Sequence, residues 1–386
     1  MPRLRKVDCA GPGIARLRRG RGFIYLNSDG SKVTDPEVLD RIAALVLPPA
    51  WKDVWICPDP LGHIQAVGTD AAGRRQYRYH DAWRVQRDAV KHERVLAFAS
   101  RLPRARVLVA EHLDQRGLTR QRVLGAAFRL LDLGFFRVGG ETYAESNGTY
   151  GLATMRRDHV TVKGDLVTFE YVAKSGKDRV QAFVDDNVRK VVVGLVRRDD
   201  TSEELLAYKD RYGWHDVTSA DINAYLKEVI GEEVSAKDFR TWHATVLTAV
   251  GLAVSTQAPK SLTARKRAVR RVVTEVAAYL GNTPAVCRSS YIDPRVIDCY
   301  NDGSTIAGSL GRLGDGADFG QPATHGQIEA AVLCLLRQAP TATKAAKAGG
   351  GRSQGAKSAT TAQPSKRTGQ SKSRVRRAKG MTPEAA

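Results

Sequence analysis

The stretch from Ala339 to Ala386 cannot form part of a packed core. It consists mainly of Ala, Gly, Ser, Thr, Gln, Lys and Arg, with no aromatic residue and almost no large aliphatic one. A segment that can bury so little apolar surface cannot offset the conformational entropy that it would lose on folding. We therefore predict a disordered basic tail at residues 339–386, so that any folded structure is built from the residues that precede it.

The chain is strongly basic, with a formal net charge of +20. The tail carries eleven Lys and Arg residues against one Glu, so about half of the excess charge lies there. Such a surplus attracts polyanions, because binding releases their condensed counterions. This favours nucleic acid as the partner. On composition alone, association with a membrane surface is the alternative.

Several classes of protein are excluded by what the sequence lacks. No apolar run approaches the ~20 residues that span a bilayer, and no apolar segment follows the basic N-terminus, so we expect a cytoplasmic protein. Walker A and HExxH motifs are absent, so we expect no nucleotide or metal cofactor. The cysteines are odd in number and lack metal-site spacing, which predicts reduced thiols: Cys9, Cys57, Cys287, Cys299 and Cys334.

Residues 1–90 are predicted to form a small β-rich domain. Apolar segments at residues 22–26 and 63–67 are bounded by turn-forming Asn, Asp, Gly and Pro residues, as is typical of strands. A helical pattern then runs from Ala82 to Ala99. We expect Leu102-Pro103 to end that helix, since proline cannot donate a backbone hydrogen bond.

Residues 91–338 are predicted to form a larger, mainly α-helical domain with a small antiparallel sheet. Apolar residues recur at helical spacing between Arg120 and Leu133, and Thr218 is a plausible helix start. Between them, residues 159–184 have the alternation and Gly-containing turns of a β-meander. The fold class is therefore α+β.

Five residues are candidates for chemistry, although each has an ordinary structural explanation when it is taken alone. Arg137 could cap a helix, Lys174 could be a solvated turn residue, and Arg240 could pair with a neighbouring helix. Asn282 could belong to a helix C-terminal turn, and Tyr291 could be a core residue.

The segments around these residues, taken together and in order, resemble the type IB DNA topoisomerases, in particular the compact poxvirus-like branch found in bacteria. The resemblance spans roughly Gly22 to Asp302. It rests on GFFRVG around Arg137, FEYVAK ending at Lys174, KDFRTW around Arg240, LGNT around Asn282 and SSYI around Tyr291. GRRQY, at residues 73–77, matches the first domain of the family.

The resemblance implies a site that cleaves one DNA strand without metal or ATP. Tyr291 would attack a phosphodiester and form a 3′-phosphotyrosyl link, while Arg137, Arg240 and Asn282 would stabilise the charge of the transition state. Lys174 would protonate the departing 5′ oxygen as general acid. Lys177 is the rival for that role; we favour Lys174, because the residues before it align without a gap to the family strand.

The resemblance also implies a set of DNA contacts and a clamp around the duplex. In the first domain, side chains on one short segment would hold phosphates and reach base edges: Arg74, Arg75, Gln76, Tyr77 and Tyr79. In the second domain, Lys177 and Lys237 are assigned to DNA contact. We expect a monomer that encloses one duplex, associates with the nucleoid, relaxes supercoils of both signs and reseals the strand.

Two alternatives remain. A tyrosine recombinase shares the helical core and the chemistry, but that family typically carries a histidine where this chain has Lys237. A noncatalytic architectural protein would account for the basic tail, but not for the retention of Arg137, Lys174, Arg240 and Tyr291. We assign His243, three residues after Arg240, to packing, because no family role maps to it.

Overall fold

The structure of the chain is a computed structural model that describes residues 2–134, 136–141, 144, 148–174, 176–255, 261–315 and 322–339. All of these residues belong to one compact unit that ends at Pro340. The predicted tail from residue 340 onward lies outside the described residues, as does the turn residue Ser175.

The first part of the chain forms an antiparallel sheet covered by one helix. Its elements are β1 (Ile14–Arg19), β2 (Gly22–Leu26), α1 (Pro36–Ala44), β3 (Lys52–Ile56), β4 (Ile64–Thr69) and β5 (Arg75–Tyr79). The spatial order of the strands is β2-β1-β3-β4-β5. Ile42 of α1 packs with Ile14, Val54 and Ile56 in a small apolar core beneath the sheet. The predicted strands at residues 22–26 and 63–67 are confirmed as β2 and β4.

A long helix, α2 (Asp81–Leu113), leads from this sheet into the rest of the molecule. The imidazole Nδ1 of His80 caps its first turn by accepting a hydrogen bond from the Ala82 N–H at 3.1 Å. The predicted helix end at Leu102-Pro103 is wrong, since α2 continues through Pro103. Proline removes one helical hydrogen bond, but burial of apolar side chains on both sides of it keeps the helix intact. Those side chains are Val95, Leu96, Phe98, Ala99, Leu102, Ala105, Val109 and Leu113.

The rest of the described chain is mainly helical, which confirms the α+β class. The helices are α3 (Arg120–Asp132), α4 (Asp186–Val196), α5 (Ser219–Ile230), α6 (Ala236–Val254), α7 (Leu262–Leu280), α8 (Pro284–Ser290), α9 (Pro294–Asn301) and α10 (Gln327–Gln338). The strands are β6 (Val160–Lys163), β7 (Leu166–Ala173), β8 (Lys177–Val184), β9 (Ala207–Asp210) and β10 (Gly213–Asp216). Strands β6, β7 and β8 form the predicted meander, and β9 pairs with β10. The predicted start of α5 at Thr218 is confirmed.

Aromatic contacts hold the helical part together. Phe239 of α6 packs edge-to-face against Phe98 of α2 at 4.9 Å and against Phe128 of α3 at 5.3 Å, both measured between ring centroids. Burial of such large side chains is the main source of stability in a core of this kind. None of the helices in the described ranges is both long and apolar enough to cross a membrane.

A buried ionic network joins four of these helices. The guanidinium of Arg106 on α2 donates to both carboxylate oxygens of Asp132 on α3, at 2.8 and 2.9 Å. It also donates to both oxygens of Glu329 on α10, at 2.6 and 3.0 Å. The indole Nε1 of Trp242 on α6 donates to Glu329 at 2.7 Å. Helices α2, α3, α6 and α10 therefore share one set of charged hydrogen bonds.

Candidate active site

Arg137 lies in a short extended segment after α3 that is held on two sides. The preceding residue, Phe136, is fully buried and packs edge-to-face against Phe169 of β7, with centroids 5.1 Å apart. The Leu152 N–H donates to the Arg137 carbonyl at 2.8 Å, so the segment is also hydrogen-bonded to the chain that follows it. These contacts fix the backbone and leave the Arg137 side chain to reach the C-terminal end of α7.

A close approach of two glycines makes that pairing possible. A Cβ atom on Gly151 would lie 2.4 Å from the Gly139 Cα, a distance that no side chain can adopt. Because neither residue carries a side chain, the Arg137–Gly139 segment can lie directly against residues 151–153. Glycine is therefore needed at both positions, because a side chain at either one would push apart the segments that position Arg137.

Tyr291 directly follows the short helix α8 and faces cations on α6. Its backbone N–H donates to the Cys287 carbonyl at 3.0 Å, and its carbonyl accepts from the Thr245 hydroxyl at 3.4 Å. The Arg240 Cζ lies 5.5 Å from the centroid of the Tyr291 ring. Lys237, one turn earlier on α6, has its Nζ 5.9 Å from the same centroid. The tyrosine predicted as nucleophile therefore lies against two positive side chains.

The C-terminal end of α7 accepts hydrogen bonds from three arginines on three different elements. Arg179 of β8 donates to the Tyr279 carbonyl at 3.0 Å, and Arg240 of α6 donates to the Leu280 carbonyl at 2.6 Å. Arg137 donates to the Gly281 carbonyl at 3.3 Å. These carbonyls are at the negative end of a helix and have no intrahelical partner, so they suit cationic donors. The three guanidinium groups are thereby brought together.

Asn282 follows the glycine cap of α7 and contacts Arg137. Its Oδ1 accepts a hydrogen bond from the Arg137 Nη2 at 2.7 Å. Its Nδ2 is inaccessible to solvent and has no hydrogen-bond partner among the described residues. An amide donor buried without a partner costs roughly 1–3 kcal/mol, so a ligand that accepts from it would recover that energy.

Lys174 and Lys177 lie on opposite sides of the turn between β7 and β8. Both side chains are exposed, and Lys177 pairs across the hairpin with Ala173. Lys174 lines a cavity together with Arg137, and the other residues that line it are Val138, Gly139, Gly140, Thr149 and Tyr150. Lys177 is not among the residues that line it. The geometry thus brings Lys174, rather than Lys177, beside the predicted phosphate-binding arginine.

Burial shifts the pKa of groups in the site, and the nearby positive charges add to that shift or oppose it. Burial, and secondarily the nearby charge of Arg137, lowers the pKa of Arg240 to about 10. Burial raises the pKa of the Tyr171 phenol, although Arg179, Arg137 and Arg240 all oppose that shift. Tyr171 of β7 pairs across the hairpin with Arg179, so it lies close to this cluster of arginines. An anion bound here would relieve their mutual repulsion.

The residues predicted to contact DNA in the first domain lie on or beside β5, but they do not all share one face. Tyr77 and Tyr79 stack with centroids 6.0 Å apart, and the Arg75 guanidinium lies 5.8 Å from the Tyr77 ring. Arg74 and Gln76 instead both donate to the Asp70 carboxylate, at 3.0 and 2.9 Å. The face with Arg75, Tyr77 and Tyr79 is the one left available for a ligand.

A basic cavity lies between β5 and the segment just before Tyr291. Its lining comes from the first sheet, from α2, from α6 and from the end of α8, and comprises His63, Ile64, Tyr79, Trp83, Arg84, Arg87, Asp88, Lys91, Lys237, Ser289 and Ser290. The predicted DNA contacts Tyr79 and Lys237 thus line one cavity, together with arginines that the sequence did not single out.

Sequence reasoning missed two features of the site. Arg179 was not selected because it has no motif of its own, although its place in β8 of the predicted meander was a usable signal. Lys91 on α2 was also missed; its Nζ donates to the Ser290 carbonyl at 3.4 Å, next to Tyr291. His243, predicted to be a packing residue, is buried beside Asp132, and burial lowers its pKa to about 4.

Fold and site together define a protein in which arginines from separate elements meet at one helix end. One of these arginines lies against a tyrosine, and another lines a cavity with a β-hairpin lysine. The family model for the catalytic core of eukaryotic DNA topoisomerase I matches residues 80–304. The model for the N-terminal domain of bacterial DNA topoisomerase IB matches residues 22–70. The chain therefore belongs to the type IB DNA topoisomerase family, an ATP-independent class of enzyme.

Individual relatives agree with this assignment. DNA topoisomerase 1B of Acanthamoeba polyphaga mimivirus is 27% identical over 304 residues, covering 75% of this chain and 88% of that protein. DNA topoisomerase I of Monkeypox virus is 23% identical over 248 residues, covering 63% of this chain and 74% of that protein. A crystal structure of XerH site-specific recombinase bound to difH has a TM-score of 0.31, with 12% identity over 50% of this chain and 51% of that chain. A similarity of that size supports no conclusion about this protein.

Proposed function

We propose that this topoisomerase cleaves one DNA strand with Tyr291 and reseals it after rotation of the free end. The observation that carries the proposal is the position of the buried Arg240 guanidinium, whose Cζ lies 5.5 Å from the centroid of the Tyr291 ring. A phenol held by a cation is oriented, and its developing phenolate is stabilised as it attacks phosphorus. The P–O5′ bond then breaks, and the phosphotyrosine conserves its energy for religation.

Arg137, Arg240 and Asn282 are proposed to bind the scissile phosphate. Guanidinium groups present forked donors that match phosphate oxygens, and they remain protonated throughout the reaction. The partnerless Nδ2 of Asn282 supplies a neutral donor next to Arg137. Donors that are already placed before the reaction stabilise the transition state without a reorganisation cost.

Lys174 is proposed as the general acid that protonates the departing 5′ oxygen. Its place in the cavity that Arg137 also lines supports this role over Lys177. An alkoxide is a poor leaving group, so protonation during bond cleavage typically contributes about 10²–10⁴-fold in rate. Lys177 is then left as a DNA contact on the far side of the hairpin turn.

The first domain, residues 1–90, is proposed to hold the duplex against the catalytic domain, residues 91–338. The basic cavity between β5 and the Tyr291 segment supports this, because it places Arg84 and Arg87 beside Tyr79. Lys237 on α6 extends the same surface toward Tyr291. We further propose that the enzyme acts as a monomer on the DNA of the nucleoid, with the basic residues of 339–386 prolonging its contact.

The proposal is tested by relaxation of negatively and positively supercoiled plasmid in EDTA without ATP. The wild type should relax both signs, because strand rotation is driven by torsion in either direction. Tyr291→Phe should bind DNA within a few-fold of the wild type and relax neither. Residual relaxation by Tyr291→Phe would refute the nucleophile assignment.

DNA products and covalent complexes distinguish a topoisomerase from a recombinase and from an architectural protein. Joining or exchange of DNA ends without relaxation would favour a recombinase. DNA binding without any covalent protein–DNA complex on a nicked suicide substrate would instead indicate an architectural protein.

A further inference from the structure

We propose that Arg179 positions the general acid by clamping the β7–β8 hairpin onto the C-terminal end of α7. This inference rests on the proposed role of Lys174 and extends it to a residue outside the five predicted ones. The Arg179 Nη2 donates to the Tyr279 carbonyl at 3.0 Å, from the strand that directly follows the Lys174 turn.

Arg179 is one of three arginines that donate to the last carbonyls of α7. The glycine cap satisfies the carbonyls of Ala277 and Ala278 through the N–H groups of residues 281 and 282. The next three carbonyls accept from Arg179, Arg240 and Arg137 in turn. Arg179 thus occupies the same kind of position as the two arginines that are proposed to bind phosphate.

The guanidinium of Arg179 also lies directly on the backbone of Gly281. A Cβ atom at Gly281 would lie 2.4 Å from the Arg179 Nη2, 2.7 Å from its Cζ and 3.0 Å from its Nε. Gly281 adopts a φ of +66°, which favours glycine in any case. Arg179 therefore packs against the same turn that binds Arg137. In that turn, the Gly281 carbonyl and the Asn282 side chain both accept hydrogen bonds from Arg137.

The β7–β8 hairpin links this contact to Lys174, because Arg179 and Lys174 lie in the same hairpin. Arg179 pairs across the strands with Tyr171, and Ala173 pairs with Lys177, so one short run of ladder separates the clamp from the turn. A β-hairpin ladder transmits position well over such a distance, because its register is fixed by hydrogen bonds. Fastening β8 to α7 therefore fixes where Lys174 lies relative to Arg137.

The distinguishing experiment compares an ordinary phosphodiester with a substrate that has sulfur at the 5′-bridging position. Sulfur leaves without protonation, so a defect in the general acid disappears on that substrate, whereas a defect in phosphate binding remains. Single-turnover cleavage is measured for the wild type, Lys174→Ala, Arg179→Ala, Arg179→Lys and the double variant. The matched control is Lys163→Ala, which removes a cation at the end of β6, paired with Leu166 at the start of β7 and far from the Lys174 turn.

Arg179→Ala should cleave the phosphodiester about ten- to a hundredfold more slowly than the wild type and come within about threefold of it on the sulfur substrate. Adding Arg179→Ala to Lys174→Ala should cause no further loss, because both changes remove the same proton transfer. Arg179→Lys, which keeps one donor, should lie between the wild type and Arg179→Ala, and it serves as the test if Arg179→Ala does not fold. Lys163→Ala should match the wild type on both substrates.

Equal losses for Arg179→Ala on both substrates, or no loss on either, would overturn the inference. If the sulfur substrate restores cleavage by Lys174→Ala but not by Arg179→Ala, only the proposed role of Arg179 is refuted. If the sulfur substrate does not restore cleavage by Lys174→Ala, Lys174 is not the general acid, and the inference about Arg179 is refuted with it.

Discussion

At the scale of single residues, two lysines one turn apart have different surroundings. Lys174 lines a cavity with Arg137, whereas Lys177 begins β8 and pairs with Ala173. Proton transfer requires the donor to lie within hydrogen-bond reach of the leaving oxygen, so closeness to the proposed phosphate site favours Lys174 as the general acid. Residue type alone could not distinguish them.

We expect Lys174→Ala to reduce cleavage of an ordinary phosphodiester by about 10²–10⁴-fold, because it removes the proton donor. Lys177→Ala should reduce cleavage by less than about tenfold and should weaken DNA binding at high salt, as loss of one phosphate contact does. Single-turnover cleavage and filter binding at two salt concentrations measure both effects. The reverse result, with Lys177→Ala the slower enzyme, would move the general acid to Lys177.

At the scale of elements, the C-terminal end of α7 organises the positive site. A helix end carries a partial negative charge, and here it takes donors from α6, from β8 and from the segment after α3. Three cations that repel one another are thereby held at one helix end. The ordinary structural explanation for Asn282, a helix C-terminal turn, is confirmed by the left-handed cap at Gly281, and it holds together with the proposed function.

Gly281→Ala tests the importance of this helix end. The added Cβ would collide with the Arg179 guanidinium and strain a backbone of φ +66°, so we expect cleavage to fall about tenfold or more while DNA binding changes little. Gly303→Ala is the matched control, since Gly303 has a φ of +87° but a Cβ there would meet nothing within 4 Å. Both variants should lose a similar stability, on the order of 1 kcal/mol, in chemical denaturation. Equal cleavage by the two would show that the contact with Arg179 is unimportant.

At the scale of the whole molecule, α2 connects the first sheet to the turn that carries Tyr291. Lys91 donates to the Ser290 carbonyl at 3.4 Å, and two residues further along Glu93 accepts from Arg295 at 2.7 Å. Further along, Arg106 anchors α2 to α3 and α10. One continuous helix therefore contacts the basic cavity, the segment just before Tyr291 and the core.

Two buried histidines should make the fold sensitive to mild acid. Burial lowers the pKa of His92 and of His243 to about 4, against about 6.5 in an unfolded chain. Between those values the unfolded chain binds more protons than the folded one, so stability falls as the pH falls. We expect each histidine to lower the free energy of unfolding by up to about 1.4 kcal/mol per pH unit between pH 6.5 and pH 4.

Denaturant unfolding at pH 7.5, 6.0 and 5.0 measures this slope. His243→Gln should be less stable at pH 7.5 but should show a shallower pH dependence than the wild type, because one of the two titrating groups is gone. A free energy of unfolding that does not change between pH 7.5 and pH 5.0 would contradict the buried, neutral state of both histidines.

The sequence by itself determined the local elements and the chemical inventory. Periodicity and turn residues specify the meander of β6–β8, the helix α3 and the start of α5, since hydrogen bonding and amphipathicity act within short stretches. The order of motifs was enough to identify the family and to nominate Arg137, Lys174, Arg240, Asn282 and Tyr291. Nominating those five residues required only the residue types and the order of the motifs along the chain.

Only the tertiary structure decided what depends on long-range contact. The helix α2 continues through Pro103 because buried neighbours on both sides outweigh the lost hydrogen bond, which no local rule predicts. Arg179 joins the site because β8 lies against the end of α7, a hundred residues further along the chain. The neutral burial of His243 likewise follows from packing among distant elements. Local propensity acts within a few residues, whereas burial and charge pairing are set by which segments meet in space.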